Sequence, residues 1–370
     1  MNYTAIDIGS ENIKILSMRQ SAKDGSFSVL AKSAYPTDGL KYGYITKPAD
    51  FSLSLKKALV KFSKEHRTVL DEAFFSLSGF GLRSEKISVE QQAASGTISE
   101  FDIEKVHKKA SSLLRKKTSD KVIEKKVIKY IIDGFEHFEN PVGLNAKKFT
   151  TEFLFITYPE NNLTVLEESI AKSGISAISF TPAGLCSAAG TVSDLDKKLG
   201  CALVDIGAET TSVIIYENNL PVHYHILKNG SKSITEAISI SEKTDFAKSE
   251  KIKKTKINPR KIDKIIRQNL EKIAEKVNAE IKSAGKSGIL PGGVTVVGGG
   301  AKLSNIEEIF KDQISLPIKK STKNISDSKT DYHICYGNII LGMAEEKVSP
   351  NIQLPNIFSP VKKLLKKFMI

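Results

Sequence analysis

The chain has 370 residues, of which 40% are hydrophobic and 26% are charged, a composition typical of a globular protein with two or more domains. No stretch approaches the roughly 20 apolar residues of a membrane-spanning helix, and the first residues lack the basic and apolar regions of a secretory signal. The three cysteines show no metal-ligand spacing, so we expect buried thiols and a chain that stays in the cytosol.

The formal net charge of +13 is distributed unevenly. Residues 243–286 carry fourteen Lys or Arg and six Asp or Glu, and the last twenty residues carry four lysines and no acidic residue. Basic surfaces of this kind attract nucleic acid, anionic membranes or acidic partners. Because no zinc-finger or RNA-binding signature accompanies them, we expect no nucleic-acid partner.

Two distant segments repeat one design. Residues 3–18 are predicted to form a strand, a turn at Asp7-Ile8-Gly9-Ser10 and a second strand, and residues 200–216 repeat the pattern around Asp205-Ile206-Gly207. A third strand is expected after each hairpin. The separation far exceeds the roughly 20–50 residues of a solenoid repeat, so the pattern indicates two lobes that each begin with a β-meander.

The remaining segments alternate between helical and strand-like patterns, as judged by the spacing of their apolar residues. The third strands of the meanders are predicted at 27–31 and 221–226, and further strands are predicted at 73–77, 127–133, 149–157 and 294–297. Helices are predicted at 48–63, 99–117, 163–173, 259–284 and 305–311, with Ser99 as the N-cap of the second. Segment 83–158, which contains both helical and strand-like patterns, is predicted to form a small inserted α/β subdomain.

The two Asp-x-Gly turns are candidates for phosphate binding. Glycine-containing turns expose backbone N–H groups that can approach phosphates closely, and two aspartates can hold Mg²⁺ through water. A single Asp-x-Gly is more often an ordinary turn. Two of them at the start of matching meanders, together with a later strand that runs into Gly298-Gly299-Gly300, predict a nucleotide site between the lobes.

The order of Asp-Ile-Gly-Ser at 7–10, Asp-Ile-Gly-x-x-Thr-Thr at 205–211 and Val-Val-Gly-Gly-Gly-Ala at 296–301 resembles the phosphate and adenosine motifs of the actin/Hsp70/sugar-kinase superfamily. Within it, the chain is similar over nearly its whole length to the FtsA family of bacterial cell-division proteins. The segments that resemble the family also include Asp38-Gly-Leu-Lys-Tyr-Gly-Tyr, Ile132-Asp-Gly, Asn140-Pro-Val-Gly-Leu, Ala183-Gly-Leu, Tyr336-Gly-Asn-Ile-Ile-Leu-Gly and the basic tail.

The resemblance implies an α/β, actin-like, two-lobed fold with duplicated β-meander/α cores, an FtsA-type inserted subdomain and a C-terminal amphipathic helix. The implied units are the core of lobe 1 (1–82 and 159–195), the inserted subdomain (83–158), the core of lobe 2 (196–228 and 287–346), a basic partner-binding subdomain (229–286), a linker (347–356) and the terminal helix (357–370).

The implied ligand is ATP with Mg²⁺, the metal being held by Asp7 and Asp205 through water. The residues that the resemblance assigns to this site are Asp7, Gly9, Ser10 and Asn12 from lobe 1, Asp205, Gly207, Thr210 and Thr211 from lobe 2, Gly298, Gly299 and Gly300 against the adenosine, and Gly230, Glu250 and Lys253 around the ribose and adenine.

The chain departs from the family pattern within the phosphate motifs. Ala208 and Glu209 replace glycines of the second motif, and Asn12 replaces a lysine that usually follows the first. The carboxylate of Glu209 would oppose a triphosphate by like charge unless it points away, or it would act as a base toward an attacking water. We expect it to point away. Nucleotide turnover would then be weak or slow and serve as a switch rather than as metabolism, with no catalytic residue identified.

The final fourteen residues have the pattern of an interfacial helix. Ser359 and Pro360 suit a helix start, and the apolar and basic residues that would meet a membrane are Phe358, Val361, Lys362, Lys363, Leu364, Leu365, Lys366, Lys367 and Phe368. Each lysine near anionic headgroups contributes about 1 kcal/mol. A helix packed on protein is the alternative, but the proline-containing linker favours the membrane. One short helix binds reversibly, so stable residence needs several linked copies.

The resemblance implies an adaptor that polymerises on the cytoplasmic face of the cell membrane at the division site and works with other division proteins. Its basic subdomain would dock the C-terminal tail of the tubulin-like division protein FtsZ, with Arg260, Lys264 and Arg267 as candidates. The same basic stretch is equally compatible with a solvated helical face.

Two other functions remain open. A PilM-like pilus-assembly scaffold shares the fold and often has alanine at the position of Ala208, but the tail and Asn140-Pro-Val-Gly-Leu argue against it. A small-molecule kinase of the same superfamily needs a substrate cleft and a catalytic carboxylate, and we find no motif for either.

Overall fold

The computed structural model describes residues 1–21, 23, 25–255, 257–321 and 331–348. The predicted terminal helix at 357–370, with its membrane-facing residues from Phe358 to Phe368, and most of the linker at 347–356 lie outside the described residues. Among the described helices, none combines the length and the apolar character needed to cross a bilayer.

The first lobe opens with the predicted meander. Its elements are β1 (Asn2–Ile8), β2 (Asn12–Gln20), β3 (Phe27–Pro36), β4 (Leu40–Lys41), β5 (Tyr44–Ile45), α1 (Pro48–His66) and β6 (Glu72–Leu77). β1 pairs antiparallel with β2 and parallel with β6. The apolar face of α1, through Phe51, Leu55 and Phe62, is buried in the lobe 1 core, as its helical spacing predicts.

The inserted subdomain is a four-stranded sheet with one helix. It contains β7 (Arg83–Gln92), α2 (Glu100–Lys117), β8 (Lys121–Ile132), β9 (Phe135–His137) and β10 (Lys148–Tyr158), in the sheet order β7-β10-β8-β9. Ser99 caps α2 as predicted: its hydroxyl accepts from the Asp102 N–H, and the Asp102 carboxylate accepts from the Ser99 N–H. This reciprocal capping box satisfies two N–H groups at the helix start.

Lys125 of β8 gives this subdomain an alkaline pH dependence. Its Nζ lies 5.0 Å from the ring centroid of Phe153, and burial lowers its pKa to about 8. An unfolded lysine has a pKa of about 10.4, so between these values the unfolded chain binds more protons and stability rises with pH. The increase in unfolding free energy between about pH 7.5 and 9.5 should therefore be smaller in Lys125→Met than in the wild type. The exposed-site control Lys116→Met should keep the wild-type increase, and an identical increase in both variants would contradict the prediction.

The chain then returns to lobe 1. This part contains α3 (Glu160–Lys172), β11 (Ser176–Pro182), α4 (Ala183–Thr191) and α5 (Asp194–Leu199). β11 pairs in parallel with β6, so the lobe 1 sheet has the order β3-β2-β1-β6-β11.

The second lobe repeats this sheet. Its elements are β12 (Cys201–Ile206), β13 (Thr211–Glu217), β14 (Leu220–Leu227), α6 (Ser231–Glu242), α7 (Phe246–Thr255), α8 (Pro259–Ser283), β15 (Val294–Val297), α9 (Ile306–Gln313) and β16 (Ile318–Lys320), and they are followed along the chain by α10 (His333–Val348). The sheet order β14-β13-β12-β15-β16 matches that of lobe 1 strand for strand, a meander followed by two parallel strands. The duplicated core expected from the two Asp-Ile-Gly turns is thus confirmed.

The position of α10 differs from the predicted assignment of the chain to two lobes. Residues 287–346 were assigned to lobe 2, but α10 packs on the lobe 1 sheet and on α4. Cys335, Ile339 and Met343 recur at helical spacing and form a buried cluster with Leu16 and Phe74 of that sheet. Since this apolar stripe is the face that α10 buries, the helix belongs with lobe 1. All three cysteines are buried and free, as expected.

The inserted subdomain also contacts lobe 2. Ile128 of β8 and Leu154 of β10 belong to the buried core of lobe 2, and the Ser84 hydroxyl donates to the Tyr224 carbonyl of β14 at 2.5 Å. The subdomain is therefore joined covalently to lobe 1 and packed against lobe 2.

Candidate functional site

The first Asp-x-Gly turn presents a buried carboxylate at the end of β1. Asp7 is 3% exposed and accepts a hydrogen bond of 2.7 Å from the hydroxyl of Ser76, its register partner on β6. Burial raises the pKa of Asp7, and the charge of Lys14, opposite Asp7 on β2, opposes that increase. The turn is closed by the Gly9 N–H, which donates to the Asn12 carbonyl at 3.1 Å.

The second turn presents its carboxylate in the same way at the end of β12. Asp205 is 8% exposed, and its Oδ2 lies 3.0 Å from Nε2 of His333 at the start of α10. Burial alone would raise the pKa of Asp205, but the charge and hydrogen bond of His333, assisted by Lys14, lower it. The aspartates are close enough that the charge of Asp205 raises the pKa of Asp7.

This pair of carboxylates fits Mg²⁺ held through water. A cation beside Asp7 would favour its charged form, which burial and, to a smaller extent, the charge of Asp205 disfavour. Mg²⁺ usually keeps several waters and takes only one or two carboxylates. Within the described residues, no cluster of three or more His, Cys, Asp or Glu is arranged to hold a metal on its own.

The backbone of the second turn is held against the start of α6. The Gly207 N–H donates to the Thr210 carbonyl at 2.9 Å, and the Ser231 N–H donates to the Gly207 carbonyl at 2.9 Å. Gly230 is required here, because a Cβ on it would lie 2.4 Å from the Ala208 carbonyl oxygen. Thr211, which was also predicted to face the phosphates, is fully buried, and its hydroxyl donates to the Asn229 carbonyl at 2.6 Å.

Glu250 and Lys253 lie on α7 and meet the same end of α6. Lys253 is 7% exposed, and its Nζ lies 2.7 Å from Glu250 Oε2 and donates to the Thr235 hydroxyl at 2.8 Å and to the Ser231 carbonyl at 3.2 Å. Since Ser231 follows Gly230, the pair predicted to border the ribose and adenine is connected directly to the second phosphate turn.

The glycine run after β15 completes the lobe 2 side. Gly298 has φ +90°, and a Cβ on it would lie 2.4 Å from Oδ1 of Asp205. Gly300 packs on Ile206, whereas a Cβ on Gly299 would meet no heavy atom within 4 Å. The run therefore passes directly beside the second aspartate and leaves open space at its centre, where the predicted adenosine would lie.

Glu209 and Lys232 connect the two lobes. The Glu209 carboxylate accepts from the Tyr42 N–H of lobe 1 at 2.5 Å and lies 3.1 Å from the Lys232 ammonium. The same ammonium lies 3.4 Å from the Ser10 carbonyl of the first turn. Glu209 thus reaches across to the other lobe, and the expectation that it points away from the triphosphate stays a prediction.

A cavity of about 850 Å³ opens beside these contacts, between α1 and the β4–β5 hairpin. Glu209 lines one side, and Tyr35, Lys41, Lys57 and Lys61 are among the lobe 1 residues that line the other. The carboxylate that contacts Lys232 therefore also faces this cavity.

The candidate partner-binding residues on α8 differ in availability. Arg260 and Lys264 are exposed. Arg267 binds three carboxylates, with N–O distances of 3.0 Å to Glu271, 3.1 Å to Glu308 and 2.7 Å to Asp312. These bonds tie α8 to α9, so Arg267 is better explained as a structural residue than as a partner contact.

Four residues near the phosphate turns were not predicted: Lys14, Ser76, His333 and Lys232. Hairpin register would have found Lys14, because it lies opposite Asp7 when β1 and β2 pair around the turn. Ser76, His333 and Lys232 come from other elements, and no local pattern marks them.

Two family models match the chain. The model of cell division protein FtsA matches residues 202–335, and the model of the SHS2 domain inserted in FtsA matches residues 79–157. Cell division protein FtsA of Pseudomonas aeruginosa is 23% identical over 352 residues, covering 87% of this chain and 84% of the relative. That of Bacillus subtilis is 23% identical over 361 residues, covering 87% of this chain and 79% of the relative.

Solved structures show the same fold. A PilM–PilN type IV pilus biogenesis complex matches with a TM-score of 0.72 and 16% identity, over 92% of this chain and 98% of the other. MreB5 of Spiroplasma citri bound to ADP matches with a TM-score of 0.57 and 14% identity, over 95% of this chain and 99% of the other. The actin-like architecture expected from the sequence is thus confirmed.

Proposed function

Because this chain belongs to the FtsA family of cell-division proteins, we propose that it binds ATP, polymerises on the cytoplasmic membrane and anchors FtsZ there at the division septum. The observation that carries the nucleotide part is that Lys232, whose N–H donates to Ala208 in the second turn, also reaches the Ser10 carbonyl of the first turn, which brings the turns of the buried Asp7 and Asp205 together. The observation that carries the membrane part is the basic, apolar pattern of residues 357–370.

In this proposal the phosphates of ATP lie between the two turns. The Gly9 and Gly207 N–H groups close their own turns, so the N–H groups that follow them, at Ser10 and Ala208, would donate to the phosphate oxygens. Asp7 and Asp205 would hold Mg²⁺ through water. Mg²⁺, when bound, neutralises part of the phosphate charge. The adenosine lies against the open face at Gly299.

The same geometry supports slow turnover at most. Both oxygens of Glu209 are already engaged, one by the Tyr42 N–H and the other by Lys232. While both oxygens are engaged in this way, neither is free to accept a proton from an attacking water. ATP would then act mainly by holding the lobes in one arrangement, which suits a filament-forming switch.

FtsZ docking is proposed for the basic subdomain at 229–286. Its exposed side chains include Arg260 and Lys264, and also Ile240 and Ile257, which are 80% and 61% exposed. An extended tail with acidic residues and a terminal carboxylate complements such a surface, the lysines and arginines guiding the encounter and the apolar side chains adding contact area.

Co-sedimentation with liposomes containing anionic lipid tests the proposal. The intact chain should pellet, and more of it with Mg-ATP, because filaments present many tail helices at once. A chain ending at Glu346 and a Phe358→Glu/Leu365→Glu double variant should both remain in solution, since each removes the apolar face that enters the lipid boundary. Equal behaviour of all three chains would remove the membrane from the proposal.

A PilM-like scaffold of type IV pilus assembly is the alternative, supported by the fold match to the PilM–PilN complex over 98% of that chain. Two peptides separate the functions. A division adaptor should bind a free FtsZ C-terminal tail peptide, whereas a pilus scaffold should bind an N-terminal peptide of a pilus membrane protein. Fluorescence anisotropy with each labelled peptide measures the difference.

A further inference from the structure

Lys232 occupies an unusual place between the two phosphate turns. It lies in the first turn of α6, and its N–H donates to the Ala208 carbonyl at 2.8 Å, which fixes its backbone against the second turn. Its side chain extends toward the first turn, where the ammonium lies 3.4 Å from the Ser10 carbonyl. One lysine therefore contacts the chain on both sides of the space assigned to the phosphates.

Glu209 is the anion that this lysine now binds. The two side chains are 27% and 14% exposed, and their N–O distance is 3.1 Å. Glu209 stands where the family pattern has a glycine in the second turn, so its carboxylate adds a negative charge beside the space assigned to the phosphates, which are themselves negatively charged. A phosphate oxygen and a carboxylate oxygen offer the same chemistry to an ammonium group, so the two anions compete for it.

We infer that Lys232 is the phosphate-binding cation of this site and that Glu209 is the resident anion which the phosphate displaces from it. The inference rests on the proposed ATP binding and adds the residue that recognises the phosphates. When Lys232 turns to a phosphate, Glu209 keeps the Tyr42 N–H of the other lobe. Phosphate binding is then coupled to the contact between the lobes and to the cavity that Glu209 lines.

The ligands ATP, ADP and adenosine, each with Mg²⁺, separate phosphate recognition from adenosine recognition. Lys232→Met should weaken ATP binding about tenfold or more, the loss expected for one charge-assisted hydrogen bond, and change adenosine binding less than about twofold. Lys232→Arg keeps the charge and should retain ATP affinity within about threefold. The exposed-site control Lys282→Met, in the last turn of α8, should leave all three affinities unchanged.

Glu209→Gln removes the competing charge while retaining an oxygen for the Tyr42 N–H. It should strengthen ATP binding about threefold to tenfold, and the gain should shrink in the Lys232→Met background, because part of the competition for Lys232 no longer exists. Isothermal titration calorimetry gives the affinities, and circular dichroism verifies that each variant is folded.

The outcomes distinguish this inference from the proposed function. If the wild-type chain binds neither ATP nor ADP, both are overturned. If the wild type binds ATP and Lys232→Met leaves that affinity unchanged, or weakens ATP and adenosine alike, only the inference is overturned. A selective loss of ATP affinity that Lys232→Arg restores supports it.

Discussion

Replacing Gly298 with alanine should lower the free energy of unfolding by about 3 kcal/mol and abolish nucleotide binding. The backbone there has φ +90° and ψ 178°, a combination that is essentially restricted to glycine. A Cβ would also lie 2.4 Å from Asp205 Oδ1 and 2.5 Å from the Ile206 carbonyl oxygen, so the end of β12 would have to shift and carry the aspartate with it. Chemical denaturation and ATP titration measure the two effects.

The neighbouring glycine provides the matched control. Gly299→Ala introduces the same methyl group where no heavy atom lies within 4 Å, so its unfolding free energy should stay within about 0.5 kcal/mol of the wild type. If adenosine lies against this residue, the variant should nevertheless bind ATP and adenosine more weakly, by similar factors. Equal stability of the Gly298 and Gly299 variants would contradict the strain argument.

Replacing His333 with leucine should cost about 3–5 kcal/mol of unfolding free energy at pH 7. The volume is roughly kept, but the buried carboxylate of Asp205 loses the partner at 3.0 Å that keeps its pKa low. The same substitution at His225, whose side chain is 44% exposed and lies 3.6 Å from Glu280, should cost less than about 1 kcal/mol.

The loss of stability in His333→Leu should depend on pH. A carboxyl group with a lowered folded pKa contributes stability above its unfolded pKa of about 3.9 and loses it as the pH falls through the folded pKa. Without His333, Asp205 takes up a proton at a higher pH, which relieves the unpaired charge. The difference in stability between wild type and His333→Leu should therefore be large at neutral pH and narrow on acidification; a difference independent of pH would refute the role given to this pair.

Much of the fold followed from local patterns. The strand at 294–297 has the predicted bounds, and α1, α2 and α8 lie within a few residues of their predicted positions, because each buries one face and leaves the other in water. α4 was not predicted, since all nine of its residues are buried and no amphipathic stripe marks it. α10 was also not predicted, because Ile334, Ile340 and Leu341 add apolar residues beside the Cys335, Ile339 and Met343 stripe and obscure its helical spacing.

Local motifs likewise predicted some residues of the candidate site and not others. Asp7, Asp205 and the glycine run were predicted because each motif contains its own turn. The motif also assigned Thr211 to the phosphates but does not reveal that its buried hydroxyl donates to the Asn229 carbonyl. Ser76 and His333 reach the aspartates from distant parts of the chain, 69 and 128 residues away respectively. Contacts of that range depend on sheet order and helix placement, which no short pattern encodes.

The inserted subdomain has a mechanical consequence. Its two chain ends leave lobe 1 after β6 and return before α3, while Ile128 and Leu154 sit in the core of lobe 2. A rotation that separates the lobes must either break these apolar contacts or keep them as its axis. Breaking them costs free energy, because it exposes buried apolar surface to water. A change in the arrangement of the lobes would therefore be transmitted to the inserted subdomain, because its chain ends attach it to lobe 1 and its buried apolar residues attach it to lobe 2.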